Sequence, residues 1–193
     1  MLHSIAVSNR FVAENIATHS ASQLAARALT QGAIERGISI AFTSSLAFGP
    51  LRNADSRREI ELIAEDLQWL TEIPGFRTGA GPGRIKHSLT GVPLLVHTAG
   101  SPILGGPVCW PDPSDADIYC GIPVLRLNSF LESELARALN SPVGPCYEAN
   151  VVAAILQAGA GGDRSHELHP YVSERYLDLW ERAQSLRIWP AVA

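Results

Sequence analysis

SRREIELIAEDLQWL, residues 56–70, is the stretch on which the fold reading turns. Ser56 and Glu59 hold the spacing of a capping box, in which each side chain satisfies the other's free backbone N–H. Ile60, Ile63, Leu67 and Leu70 then recur every three or four residues, and Pro74-Gly75 follows as a stop. The stretch therefore predicts an amphipathic helix over 56–70.

Upstream, Ala17, Ala21, Leu24 and Ala28 form an i, i+4, i+7 stripe within 16–36. Gly37 stands where a helix C′ glycine belongs, which predicts a helix over 16–36. Residues 38–42, ISIAF, alternate as a strand does, and Gly49-Pro50 marks a turn. Downstream, residues 72–91 form a polar, glycine-rich passage, followed by a short apolar strand at 92–97, VPLLVH, with Pro93 confined to its start. Residues 99–116 are rich in Gly, Pro and Asp and read as irregular. The run 118–127 is a further strand candidate, interrupted by Gly121 and Pro123.

The last third reads as helical. Ser129 and Glu132 repeat the capping spacing ahead of Leu131, Leu135 and Leu139. Pro145 suits the first position of a helix that runs through Val151 and Ile155 to Gly159. A final helix over 172–186 places Tyr176, Trp180 and Ala183 on one side. There is no internal repeat, low-complexity tract or evident linker. The order of elements predicts an α/β (or α+β) fold: a single globular domain over 1–193, with a small central sheet flanked by about five helices.

Composition narrows the function classes. The chain has 193 residues, 46% hydrophobic and 18% charged, with a net charge of −4, as in an ordinary globular protein. The 15 basic and 19 acidic side chains are interspersed, without the basic stripe that a nucleic-acid backbone requires. No apolar run reaches the ~20 residues that span a bilayer, and the N-terminus lacks the pattern of a signal peptide. A cytoplasmic protein bound to neither nucleic acid nor membrane is expected. The modest charge content also favours self-association into a homo-oligomer. Cys109, Cys120 and Cys146 match no zinc spacing.

Four clusters carry potential chemistry. In FRTGAGPGRIKHS, residues 76–88, Gly79, Gly81 and Gly83 allow backbone N–H groups to converge, and Arg77, Arg84, Lys86 and His87 surround them. An arginine fork and a lysine point charge suit a carboxylate or phosphate, so the stretch reads as an anion-binding loop. It matches neither the phosphate-loop nor the dinucleotide fingerprint, and a mobile surface loop with solvated charges is the alternative. Cys146, after Pro145, falls in the first turn of a helix, where free N–H groups favour a thiolate nucleophile. His97, at the end of the 92–97 strand, is the candidate base. A packing cysteine is the alternative.

His166 and His169, with Asp163, resemble a metal-ligand cluster, although Pro170 disfavours helix at His169. Exposed loop histidines are the alternative. Asp112, Asp115 and Asp117 lack the glycine and distal glutamate of a calcium loop and read as solvated charges. Trp110 and Tyr119 flank them as potential pocket walls.

Three functional readings follow. The first is an enzyme, a hydrolase or lyase, acting on a small anionic metabolite. Arg77, Gly81, Arg84, Lys86 and His87 bind the anion, and His97 and Cys146 supply acid–base and nucleophilic chemistry. The second is a non-catalytic small-ligand-binding or oligomeric assembly protein. The third is a metal-dependent hydrolase built on His166 and His169. No motif assigns a cofactor.

Overall fold

The computed structural model describes residues 20–43, 59–119 and 121–188. Ser56, Gly49-Pro50, Cys120 and residues 16–19 lie outside the described residues. The α/β class is borne out: a seven-stranded mixed sheet is accompanied by helices. The described chain divides into two compact units. A sheet unit holds the residues up to Ser101 and Trp110–Arg126, and a helical unit holds Pro102–Cys109 and the chain from Leu127 onward.

In the sheet unit, helix α1 (Ser20–Arg36) leads into β1 (Ile40–Phe42) through Gly37, whose φ of 66° is the left-handed conformation of a C′ glycine. The second strand, β2, spans Ile60–Ala64. It is followed by α2 (Leu67–Thr71), a hairpin of β3 (Phe76–Thr78) and β4 (Arg84–His87), then β5 (Pro93–Thr98). A second hairpin, β6 (Asp117–Tyr119) and β7 (Ile122–Val124), completes the unit. The strand order is β3-β4-β5-β2-β1-β7-β6. Strand β2 runs parallel to β5 and antiparallel to β1, and β7 lies parallel to β1.

The helix expected over 56–70 is therefore corrected. Its core, IELIA, is the sheet's central strand, and helix begins only at Leu67, where the Asp66 carboxylate accepts a 2.7 Å bond from the N–H of Gln68. Four of the five residues in IELIA are apolar, two of them β-branched isoleucines. A helix would hide only one stripe of them, whereas a central strand covered above and below hides them on both faces. Ile60, Leu62, Ile63 and Ala64 are all fully buried. The short run outweighs the capping spacing because its backbone groups find partners on two neighbouring strands.

Ile60, Leu62 and Ala64 face the principal core. They join Ile40 and Phe42 of β1, Leu94 and Val96 of β5, Ile85 of β4, and Ile122 and Val124 of β7. Helix α1 covers this face with Ala25, Ala26, Leu29 and Ala33. The stripe expected from Ala21, Leu24 and Ala28 is thus rotated, and Leu24 is 48% exposed. With so many alanines, the helix presents whichever face lets its backbone approach the sheet. Gly32 shows how close that approach is, since a Cβ there would collide with Cγ2 of Ile73.

The 72–91 passage is likewise more regular than its composition implies. Thr78 and Ile85 close the β3–β4 hairpin, and Gly79 N–H donates to the Arg84 carbonyl at 2.7 Å. The 118–127 run splits at Gly121, with φ of 78°, into the β6–β7 hairpin.

In the helical unit, α3 (Leu127–Asn140), α4 (Gly144–Ala158) and α5 (Pro170–Ile188) pack on one another. Helix α3 starts two residues before the expected cap at Ser129, and Glu132 instead accepts a 2.6 Å bond from the N–H of His169. Pro145 opens α4 and Gly159, with φ of 62°, closes it. A Cβ on Gly144 would collide with the Ala138 carbonyl, so the α3–α4 turn requires glycine there. Between these helices Glu134 is buried with Arg137 at 3.0 Å, and the Arg137 guanidinium lies 4.2 Å from the centre of the Tyr147 ring. Asn150 donates to the other carboxylate oxygen. On α5, Tyr176 and Ala183 are fully buried. The Tyr176 hydroxyl donates to Gly161 O at 2.8 Å, and burial pushes its pKa up to about 12.

Gly32→Ala should be net destabilising by about 1 kcal/mol in denaturant unfolding, because overpacking outweighs the gain in helix propensity. In an Ile73→Ala background, the same change should become neutral or stabilising.

Candidate functional site

The face of the sheet opposite α1 is polar at its centre. Alternation along each strand sends Glu61 and Ile63 of β2, Leu95 and His97 of β5, and Arg84 and Lys86 of β4 to this side. Glu61 and His97 lie diagonally across the parallel β2–β5 pair, since His97 is in register with Ile63. The His97 Nε2 to Glu61 Oε2 distance is 3.3 Å, and the two side chains are only 16% and 13% exposed. Trp110 stacks on the imidazole, with ring centres 3.9 Å apart and planes at 17°. Two backbone bonds fix Trp110: its N–H donates to Ser101 O at 2.9 Å, and its carbonyl accepts from Gly100 N–H at 2.8 Å.

This geometry has a chemical consequence. A carboxylate at Nε2 selects the tautomer protonated there and leaves the Nδ1 lone pair to accept a proton. It also stabilises the imidazolium that results. The indole covers one face of the ring.

Beside this dyad, Arg84 donates to both oxygens of Glu59, from Nε at 2.8 Å and Nη2 at 3.3 Å. The hydrogen bond to Glu59, with the charges of Glu59 and Glu61, raises the Arg84 pKa further. Arg84 Nη1 passes under the hairpin turn, where a Cβ at Gly81 would sit 3.3 Å away, and Gly81 holds φ of 103°.

The residues expected to form an anion-binding loop are distributed over a hairpin. Arg77 and Lys86 are directly opposed across β3 and β4, while Gly81 lies in the turn. His87 points to the core side instead, where it is buried, lies 4.9 Å from Phe76 between ring centres, and shares a 2.8 Å hydrogen bond with the Thr90 hydroxyl through Nδ1. Burial lowers its pKa.

His97 and Cys146 belong to different compact units. Cys146 is exposed in the first turn of α4, and its N–H donates to the Val143 carbonyl at 3.0 Å. His166 is exposed within a 3-10 turn over Gly162–Glu167, and His169 Nδ1 accepts from Tyr171 N–H at 3.2 Å. Among the described residues, no three His, Cys, Asp or Glu side chains gather as a metal-ligand set. Asp112 caps Ser114 N–H at 2.8 Å, which lowers its pKa, and Asp117 pairs with Arg126 at 3.4 Å.

Glu59 and Glu61 are the members that sequence reasoning missed, because the helical reading uses Glu59 in a capping box and turns Glu61 away from the apolar stripe. The available signal was a lone glutamate inside the apolar run IELIA, which in a buried strand demands a partner.

His87 generates a pH prediction. Its folded-state pKa lies below its unfolded value, so the unfolded chain binds the proton more readily. Its contribution is fully present above about pH 6.5 and is lost as pH falls toward the folded pKa. Between pH 7.5 and 5.5 the wild type should lose more unfolding free energy than His87→Gln, as measured by urea midpoints. Comparison of the chain with family models, curated proteins and solved structures finds no match in any of the three.

Proposed function

We propose that this protein is an enzyme of the hydrolase or lyase type that moves a proton on a small anionic metabolite, with His97 as its acid–base group. The observation that carries the reading is the Glu61–His97 contact at 3.3 Å, sheltered and clamped by Trp110. A histidine placed only for packing does not require a buried carboxylate on one nitrogen. The carboxylate is costly to bury without a partner, and the imidazole N–H supplies one.

In this scheme the substrate meets His97 at Nδ1, which removes a proton or activates a water. Glu61 holds the ring and balances the charge that develops. Arg84 stands beside the dyad already paired with Glu59, and the positive charges of Arg77 and Lys86 on the β3–β4 hairpin attract the anion. Nothing in the scheme requires a metal or an organic cofactor. It asks nothing of Cys146, whose exposed thiol keeps it a candidate nucleophile in its own right; Cys146→Ser tests that role in the same assay.

The test is a turnover screen of carboxylate and phosphate metabolites, following hydrolysis and elimination, with wild type and His97→Gln in parallel. Removing the general base should lower kcat by about 10²-fold or more with KM little changed. Glu61→Gln, which removes only the charge that orients the ring, should lower kcat less than His97→Gln. Equal turnover by wild type and His97→Gln would sink the reading. Ligand binding with no turnover in either would favour a binding protein instead.

A further inference from the structure

Arg77 and Lys86 form a second feature on the polar face. They are register partners across the β3–β4 hairpin, so their Cβ atoms stand roughly 5 Å apart on one side of the sheet. Like charges directly opposed are destabilising unless something negative lies between them. Among the described residues neither side chain has an acidic partner, in contrast to Arg84, which Glu59 neutralises. Arg77 is exposed, and Lys86 is half-buried with its stem against the Gly91 turn, where a Cβ would sit 3.6 Å from Cε. The pair therefore presents two uncompensated positive charges, one a planar fork and one a compact ammonium.

We infer that Arg77 and Lys86 bind the phosphate of a phosphomonoester substrate, an inference that rests on the acid–base reading of the same face. The charge count selects the ligand. A phosphomonoester carries about −1.5 to −2 at neutral pH, matching the pair, while a monocarboxylate leaves one cation uncompensated. Position selects the role. Lys86 is in register with Pro93, and His97 lies four residues further along β5, roughly 13 Å away at the rise of a strand. The phosphate is thus a handle at one end of an extended substrate, and the proton is moved at the other end.

Titration of the full chain with inorganic phosphate, glycerol phosphate and acetate, at constant ionic strength, tests this. Saturable binding is expected for both phosphates and not for acetate. Arg77→Gln and Lys86→Gln should each weaken it at least tenfold, with far-ultraviolet circular dichroism unchanged, while His97→Gln binds as the wild type does. No saturable binding, or equal binding by the Arg77→Gln/Lys86→Gln double variant, overturns the inference and leaves the pair as charges beside the β3 edge of the sheet. Phosphate binding without His97-dependent turnover sinks only the acid–base reading. His97-dependent turnover of carboxylate substrates, without phosphate binding, sinks only the subsite.

Discussion

The parallel pairing of β2 with β5 is the constraint from which the sheet unit follows. Five consecutive residues of each strand are in register, Ile60 with Leu94 through Ala64 with Thr98. Because side chains alternate with a period of two, that register sends Leu62 and Val96 to the α1 side and Glu61 and His97 to the other. A slip of one residue would bring the glutamate into the apolar core and turn leucine toward the charged face. Hydrophobic burial on one side therefore sets the geometry of the charged groups on the other.

The two faces answer different physical demands. Toward α1, close packing dominates, and the helix contributes alanine and glycine so that its backbone approaches the strands. On the opposite face ionisable groups are held at graded exposure, and Glu61 and His97, the best sheltered, are each other's counterpart. Glu61 meets His97, and Glu59 meets Arg84. The sheltered Glu61 carboxylate requires such a counterpart, whereas the more exposed Glu59–Arg84 pair mainly positions its two members. The helical unit solves the same problem with Glu134, Arg137 and Asn150 between α3 and α4.

How much of this was legible in the sequence depended on whether the signal was local. Gly37, Gly159 and Pro145 mark helix ends through their own backbone preferences, and the structure places them at those ends. The strand at 92–97 was readable because it is apolar, short and bounded by turn residues. IELIA was not, since three or four apolar residues fit a helical stripe and a buried strand equally well. Only its two neighbours, β1 and β5, decide the matter, and β5 lies some thirty residues away. The Glu61–His97 pairing depends on that same distant register, so it became visible only with the sheet. His97 itself stood out because it ends a strand, whereas Trp110 stood out only as a bulky neighbour of acidic residues.

The chain leaves the sheet unit after Ser101, contributes Pro102–Cys109 to the helical unit, and returns at Trp110 before leaving again at Leu127. Neither unit is therefore a continuous segment, and no single cut between them yields two self-sufficient pieces. A fragment ending at residue 126 would keep Ile103 and Val108, both buried in the intact chain, while lacking the helix α3 against which their segment packs. On the ribosome, the first hundred residues emerge without Trp110, so the indole reaches the imidazole only after the eight-residue excursion has been synthesised. Assembly of the polar face therefore waits for that return of the chain, and deletion mapping of this protein must respect the interleaving.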